Sequence, residues 1–458
     1  MEAPNERRVT QSDATGHTPD TISAIATPQG RGGIGIIRLS GSQAADIALK
    51  LCQRDKPFTP RYAHFHHWYD EQGETIDHGL TIYFKGAQSY TGEDTVELQA
   101  HGSPMLLKAL FERTLELGAR PAEAGEFTRR AVEHGKIDLS QAEAVVACID
   151  AATLRAAKQA QKQLDGAFGR RISQYMDDLT SVVAHVEACL DFPEDEVPDL
   201  FYGQLRERVE NELIVPIQQQ LNSKLGERLF EGATVAIVGE PNVGKSSLLN
   251  ALSGRDRAIV TEIAGTTRDT LEVDFEVNGI PIRLVDTAGL RATDDVVEQE
   301  GVKRAKSAAE TADLIIFVAD ATRPETWNPE IHFGDMNIQL KIMNKMDKGG
   351  SIDIKDFLPL SIKQHQGLDA LMSAMAMCLG DIDLADEAAM VTSSRHRTAL
   401  ETSLTHIQAG LTMLGHEEMI DLTAMEWRRA WSTLGEILGI GDVEFILDKV
   451  FSEFCIGK

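Results

Sequence analysis

Three short stretches between Thr234 and Asp347 carry side chains whose types and spacing suit one chemistry, the reading of a guanine nucleotide. Gly239-Glu240-Pro241-Asn242-Val243-Gly244-Lys245-Ser246 has the two glycines, the lysine and the serine of a phosphate-binding loop. Its glycines let the backbone curl until N–H groups face phosphate oxygens, at the N-terminus of the helix that follows. Lys245 is placed to reach the β- and γ-phosphates, Ser246 to give its hydroxyl to Mg²⁺, and Val243 and Ser247 flank them. Asp286-Thr287-Ala288-Gly289 adds a magnesium-side carboxylate and a glycine able to sense the γ-phosphate. Asn344-Lys345-Met346-Asp347 supplies a carboxylate that accepts two hydrogen bonds from guanine, a pattern adenine cannot donate, and a lysine stem to cover the base. In this order the three define a GTPase.

Two further stretches belong with these. Gly265-Thr266-Thr267-Arg268-Asp269 lies where a switch loop carries the threonine that completes Mg²⁺ coordination; read on residues alone it is also compatible with a polar surface loop. Ser361-Ile362-Lys363 stands where Ser-Ala-Lys is usual, so a backbone N–H can meet the guanine oxygen while Ile362 adds bulk. One residue is conspicuous by its type. Many small GTPases orient the attacking water with a glutamine directly after Asp-x-x-Gly, and here that position is Leu290. An arginine finger contributes roughly 10³–10⁵ in rate, and Arg291 has no defined site. The water and the developing charge therefore need another carboxylate or amide and another cation.

The surrounding pattern says what positions these residues. Val235–Val238, Ile282–Val285, Leu314–Val318 and Leu340–Met343 are short, apolar and β-branched, as strands of a parallel sheet should be. Leu271, Val273, Phe275 and Val277 alternate with acids, and Asn278-Gly279 before Ile280 predicts a hairpin. A helix is expected from Ser247 to Leu252. Helical spacing precedes this module (Val145, Ile149, Ala152; Ile172, Met176, Leu179, Val183, Val186; Leu205, Val209, Leu213, Ile217, Leu221, Leu225), broken by the acidic, proline-bearing stretch 191–199. It resumes afterwards (Leu400, Leu404, Ile407, Leu411; Met425, Trp431, Leu434, Leu438; Val443, Ile446, Leu447, Val450, Phe454). Residues 21–118 mix β-rich runs (Ile34–Leu39, Leu80–Phe84, Thr95–Leu98) with a helical stretch near Pro104–Leu117.

The expected fold is therefore α/β and multidomain: an N-terminal α+β domain, an all-α domain in two segments, and a Ras-like P-loop GTPase domain inserted between them, a cheap arrangement because domain termini lie close together. The boundaries expected are a disordered lead-in 1–19, an N-terminal domain 20–135, helical segments 136–230 and 383–458, and a G domain 231–382. At 458 residues there is room for about three domains of ~150 residues. Hydrophobic content of 42% and charged content of 25% are those of a globular protein, and no apolar run approaches the ~20 residues of a membrane span. Five scattered cysteines without Cys-x-x-Cys spacing support neither a disulfide framework nor zinc, which points to a reducing cytoplasm. The net charge of −26 excludes a broad nucleic-acid surface, so any RNA contact needs a patch or a partner. The densest basic pairs are Arg129-Arg130, Arg170-Arg171 and Arg428-Arg429.

Beyond the GTPase set, the chain carries Gly30-Arg31-Gly32-Gly33-Ile34-Gly35 with Arg38, Thr91-Gly92-Glu93-Asp94 with Glu97, Gly125-Glu126-Phe127-Thr128 with Lys136, and a terminal Cys455-Ile456-Gly457-Lys458. In this combination the chain, from about Asp20 to Lys458, resembles the MnmE/TrmE family of tRNA-modification GTPases. The resemblance implies that the N-terminal domain binds a tetrahydrofolate derivative as one-carbon donor and dimerises. It implies a role, with a flavin-dependent MnmG-type partner in a heterotetramer or larger assembly, in adding a carboxymethylaminomethyl group to carbon 5 of the wobble uridine (position 34) of certain tRNAs. By the same resemblance Asn242 and main-chain groups of Thr261, Ile263 and Thr266 would hold K⁺ beside the phosphates, in the role an arginine finger plays elsewhere. Glu262, Ala264 and Gly265 would line the nucleotide, and Thr267 would join Ser246 on Mg²⁺. Glu298 would position the hydrolytic water through a second water; without the resemblance it is one of several acids in Asp294–Glu300. Arg38, Glu97, Lys136 and Lys458 match the folate-contacting positions, although on composition each of the first three is a surface charge.

Two formal motif matches fail on context. Gly30-x-Gly32-x-x-Gly35 is followed by a β-like run rather than a helix, so it is no dinucleotide fingerprint. Cys455 stands fourth from the end, but Gly457 and Lys458 do not suit prenylation. The competing readings are a ribosome-assembly GTPase that shares the leucine at 290, and a regulatory scaffold moved by its GTP cycle.

Overall fold

The computed structural model describes residues 20–191, 199–253, 275–286, 311–330, 337–348, 356–380, 391–441, 443–452, 454 and 457. The lead-in 1–19, most of the proline-bearing stretch, the switch loop, Leu290 and Cys455 lie outside the described residues. The chain divides into two units, the first drawing its described residues from 20–137 and from 447 onward, the second from 138–446.

In the first unit β1 (Ile22–Ile25), β2 (Gly35–Ser40), β3 (Ala63–Tyr69), β4 (Thr75–Phe84), β5 (Thr95–Ala100) and β6 (Arg120–Pro121) form one sheet in the order β3-β4-β5-β2-β1-β6. All its pairs are antiparallel except β1 with β6. Strand alternation decides what each face does. Ile37, Leu39, Val96 and Leu98 point to one side, where they join Trp68 beneath α1 (Ala44–Leu51) and α2 (Pro104–Glu116). Arg38 and Glu97, on the intervening positions, fall on the other side. There α3 (Glu126–Glu133) covers part of the sheet through Phe127, which packs with Ile22, Ala24 and Ala122. The glycine run 30–35 leads into β2, not a helix, as expected for a false dinucleotide match.

The second unit begins with α4 (Leu139–Asp150), whose Asp138 and Gln141 form a reciprocal capping box. There follow α5 (Leu154–Leu164), α6 (Ala167–Asp191), α7 (Asp199–Val209), α8 (Val215–Asn222) and α9 (Leu225–Glu231). A π-helical turn, Glu210–Ile214, joins α7 to α8. Pro216 accounts for it, because proline has no N–H for the i−4 carbonyl and its ring crowds that group.

Next comes the second sheet: β7 (Ala233–Val238), β8 (Phe275–Val277), β9 (Ile280–Asp286), β10 (Leu314–Asp320), β11 (Leu340–Asn344) and β12 (Leu358–Pro359), with α10 (Lys245–Ser253) after β7 and α11 (Leu368–Leu379) after β12. Its order is β12-β11-β10-β7-β9-β8, parallel except for β8. Apolar clusters cover both faces, which is why the strands read as unbroken hydrophobic runs. Asn278 and Gly279 take φ of 53° and 79°, the paired left-handed conformation of a type I′ hairpin turn. Strand order reverses at β7, so the crevice at its C-terminal end is where such a sheet receives a ligand.

α12 (Ser394–Met413), α13 (Ile420–Leu438) and α14 (Glu444–Ser452) complete the chain. Phe168, Ile172, Leu179, Leu205, Leu213 and Ile217, all before the second sheet, share one core with Leu400, Ile407, Trp427 and Leu434, all after it. Two helical faces differ from their spacing. Met425 and Trp431 are 37% exposed, because α13 turns Thr423, Ala424, Trp427, Ala430 and Leu434 inward, with the Trp427 indole donating to the Ile407 carbonyl at 3.1 Å beside Gly410. In α4 the buried side chains are Leu139, Ser140, Ala142 and Ala144, while Ile149 is exposed: small residues let α5 approach closely.

Candidate functional site

The loop from β7 to α10 is shaped by positions that exclude a side chain. A Cβ at Gly239 would lie 2.4 Å from the Val318 carbonyl oxygen, and one at Gly244 (φ +106°) would lie 2.3 Å from Asn344 Nδ2. Asn242 takes a left-handed φ of 64° without being glycine. Lys245 and Ser246 open α10, with Ser246 and Ser247 exposed and Val243 buried beneath them. A backbone curled over two glycines at a helix N-terminus fits phosphate, whose charge the terminal N–H groups favour. The Lys245 ammonium donates to the carbonyls of Gly239 and Glu240, at 2.8 Å each, so it is folded under the loop.

Two more of the expected elements meet this loop at the strand ends. Asn344 Nδ2 donates to the Val243 carbonyl at 2.8 Å, tying the end of β11 to the phosphate loop from inside the core. Lys345 Nζ donates to the Asn242 carbonyl at 2.7 Å. Ser361 Oγ donates to Asp347 Oδ1 at 2.9 Å, which orients the carboxylate assigned to guanine. The Ile362 N–H faces Asn344 Oδ1 at 3.5 Å while its side chain packs against the apolar cluster under the sheet, so its bulk is absorbed there. Asp286 ends β9, on the strand next to β7. Thr261, Glu262, Ile263, Ala264, Gly265, Thr266, Thr267, Thr287, Ala288, Gly289 and Glu298 lie outside the described residues.

Two participants were not foreseen. Asp320, 1% exposed at the end of β10, receives the Lys345 ammonium at 2.5 Å. Burial pushes its carboxyl up, but the hydrogen bonds from Lys345 and Thr322 outweigh that and hold it below the usual carboxylate range. Arg323 reaches back to the Pro241 carbonyl and the Glu240 carboxylate, at 3.2 Å each. The available signal was Asp320 itself: a charged residue closing an otherwise apolar strand.

In the first unit Arg38 and Glu97 are cross-strand partners, and the guanidinium donates to Glu97 Oε1 through Nε (3.1 Å) and Nη2 (2.9 Å). Their side chains are 23% and 18% exposed, so the pair presents itself as one unit rather than as two separate ligand contacts. Arg38 also sits 5.7 Å from the Phe127 ring centroid. Tyr90, whose hydroxyl meets Thr128 Oγ1 at 3.0 Å, has its phenol pushed up by burial. Lys136 Nζ donates to the Ala87 carbonyl at 2.6 Å. Phe127 is fully buried, so the aromatic that this face leaves accessible is Tyr90, which is 39% exposed. Tyr90, directly before Thr91-Gly92-Glu93-Asp94, is not singled out by the sequence, and Phe127 within its motif is a core residue. Lys458 lies outside the described residues.

Other residues of those motifs are framework. Arg130 is held by Glu93 (2.9 Å), Glu126 (2.9 Å) and Asp20 (2.8 Å), and Arg120 by Glu126 at 2.5 Å. Burial pushes the Glu126 carboxyl up, and the guanidiniums of Arg120 and Arg130 more than reverse it. The basic pairs are largely engaged too: Arg129 with Glu133 and Asp448, Arg428 with Glu187, Arg429 with Glu426.

Two family models match the sequence: the GTP-binding protein TrmE N-terminus over residues 21–136, and the MnmE helical domain over residues 139–455. The tRNA modification GTPase MnmE of Ectopseudomonas mendocina (strain ymp) is 41% identical over 464 residues, covering 96% of this chain and 100% of that protein. The protein of the same name from Acinetobacter baumannii (strain AYE) is 42% identical over 455 residues, covering 96% and 99%. Among solved structures, the FeoB G-domain from Methanococcus jannaschii matches 32% of this chain and 98% of its own at 29% identity, with a TM-score of 0.25. Era from Aquifex aeolicus bound to GDP.AlF4- matches 33% and 57% at 32% identity, also with a TM-score of 0.25.

Proposed function

The chain belongs to the MnmE family of tRNA modification GTPases, and from that premise we propose a potassium-dependent GTPase cycle that serves modification of the wobble uridine. GTP hydrolysis is the enzymatic activity of the family. The observation that carries the reading is the convergence of three loops: Asn344 on Val243, Lys345 on Asn242, and Ser361 on Asp347. Guanine is chosen by Asp347, which Ser361 holds in place, and the phosphates by the loop over Gly239 and Gly244. Lys245, now bonded to two loop carbonyls, has phosphate oxygens as its stronger partners, because charge-assisted bonds exceed those to neutral carbonyls.

Ser246 and Thr267 would hold Mg²⁺, which would supply positive charge beside the phosphates. Asn242, Thr261, Ile263 and Thr266 would hold K⁺, and Glu298 would position the attacking water, a pairing that answers the inert Leu290. In the N-terminal domain Arg38, Glu97, Lys136 and Lys458 would bind a tetrahydrofolate derivative. The chain is proposed to form a homodimer and to act on tRNA in the cytoplasm, with a flavin-dependent MnmG-type partner, adding a carboxymethylaminomethyl group at carbon 5 of uridine 34. The proposed division remains 20–135, 136–230 with 383–458, and 231–382. Among the described residues no helix is long and apolar enough to cross a membrane.

Two measurements test this. GTP turnover should be fast in KCl and slow in NaCl at equal ionic strength, and equal rates would remove the K⁺ site from Asn242. Mass spectrometry of wobble uridines should show the modification missing from cells that lack the protein; wild-type levels there would overturn the role in modification.

A further inference from the structure

Asp320 has no part in the residue sets drawn from the sequence, yet its carboxylate is the most deliberately arranged group near the guanine loop. It closes β10 directly beside Asn344 of β11. Its Oδ2 takes the Lys345 ammonium at 2.5 Å, and its Oδ1 takes Thr322 N–H at 2.9 Å and Thr322 Oγ1 at 2.7 Å. Its backbone is fixed as well: the N–H donates to Thr326 Oγ1 at 3.0 Å, and the carbonyl accepts from Trp327 Nε1 at 2.8 Å and Arg323 N–H at 3.0 Å. The carboxylate is therefore immobile before Lys345 reaches it. Lys345 in turn spans two anchors, Asp320 and the carbonyl of left-handed Asn242.

We propose that Asp320 is the positioning residue for the nucleotide base: by pinning the Lys345 ammonium it holds the lysine stem across the face on which guanine lies. A lysine is a point charge on a flexible four-carbon stem, and unpinned it would have to be ordered each time a base binds. This inference rests on reading Asn344–Asp347 as the guanine loop, and it adds a residue on a different strand. The Asp320 side chain bonds none of Gly239, Gly244 and α10, which build the phosphate cradle, and meets that loop only through Lys345 and the Asn242 carbonyl.

The test compares full-length wild type with Asp320→Ala and the near-isosteric Asp320→Asn, using GDP, a non-hydrolysable GTP analogue and inorganic pyrophosphate, which engages only the phosphate cradle. A hydrogen bond to a charged group is worth enough that Asp320→Ala should raise the Kd of GDP and of the GTP analogue equally, by about 10- to 100-fold. Asp320→Asn, which keeps an acceptor without the charge, should fall between. Pyrophosphate binding should stay within about twofold of wild type. Combined with Lys345→Ala, Asp320→Ala should add nothing further, since the two share one interaction. Unchanged GDP affinity in both Asp320 variants, parallel loss of pyrophosphate, or additive losses in the double variant would each overturn the proposal. Wild type that binds no guanine nucleotide would instead overturn the site on which it rests.

Discussion

Replacing Glu143 should weaken the tie between the two helical segments. Glu143 on α4 accepts from Arg395 through Nε (2.7 Å) and Nη2 (2.8 Å), and meets His396 Nε2 at 2.5 Å. His396 is 1% exposed and its Nδ1 has no hydrogen-bond partner among the described residues, so among them Glu143 is the only side chain hydrogen-bonded to the ring. Burial pushes the Glu143 carboxyl up, but the His396 and Arg395 interactions prevail and bring it from 4.5 down to about 2. At about 1.4 kcal/mol per decade, that fall corresponds to roughly 3 kcal/mol of stability. Removing one partner of a buried pair costs about 3–5 kcal/mol by a separate route, and the partial exposure of Arg395 places this case at the lower end. Because the folded carboxyl is depressed, the contribution is complete above the unfolded value near 4.5 and disappears as pH falls toward 2. Urea unfolding followed by helical circular dichroism should therefore show Glu143→Ala about 3 kcal/mol less stable at pH 7, with the gap roughly halved at pH 3. Glu143→Gln, able to accept but uncharged, should lose less. A deficit under about 0.5 kcal/mol at pH 7, or one that persists undiminished at pH 3, would refute the assignment of that energy to the carboxylate.

Two further outcomes follow from single atoms. Gly244→Ala sets a Cβ 2.3 Å from Asn344 Nδ2 at a φ of +106°, so GDP affinity measured by calorimetry should fall at least about tenfold; wild-type affinity would show that the Asn344–Val243 tie is dispensable. Glu126→Gln removes the charge facing Arg120 and Arg130 and should destabilise the N-terminal unit by about 1–3 kcal/mol at pH 7. Since Glu126 is depressed when folded, the difference should close as pH drops below the ordinary carboxylate range, and a pH-independent gap in thermal unfolding would contradict it.

What the sequence disclosed depended on how local the physics was. The hairpin at Asn278-Gly279 and the loop at Gly239–Ser246 are set by backbone conformations that few residues can adopt, so their identity alone predicted them. β1 and β3 escaped notice because Ile22–Ile25 is too short for alternation to register and Ala63–Tyr69 carries three histidines where strands usually carry β-branched residues. The buried face of α13 was misassigned because Trp431 resembles a core residue in isolation; that Trp427 fills the space beside Gly410 is decided by a partner helix. Glu93 and Glu126, conspicuous as motif residues, turn out to hold Arg130. The Glu126–Arg130 pair has i,i+4 spacing on α3 and is legible from it, whereas Glu93–Arg130 and Asp320–Lys345 join residues far apart in sequence, so Asp320 stands out only as a charge closing an apolar strand and its partner leaves no trace in spacing.

Two of the described joints between the helical core and the second sheet follow one rule. A helix ends with carbonyls that have no partner within it, and here arginines meet them. Arg397 donates to the carbonyls of Leu221 (2.7 Å) and Ser223 (2.8 Å) at the end of α8 and bonds Glu227 at 2.7 Å, so the start of α12 grips the segment leading into β7. Arg228 donates to the Leu379 carbonyl at 2.6 Å and to Asp313 at 3.2 Å, fastening the end of α11 and the start of β10. At the far edge Thr153 Oγ1 and Arg155 Nη1 bond the carbonyls of Gly279 and Asn278, at 2.7 and 2.9 Å. That last tie lies on the hairpin whose second strand ends in Asp286. Displacement of β9 along its axis must therefore either carry α5 with it or break both bonds. Helix ends and a hairpin tip thus add polar ties to the apolar packing of Ala156, Leu225 and Leu229 against the sheet, and of these ties the one at the hairpin tip lies nearest in sequence to the residue expected to sense the nucleotide.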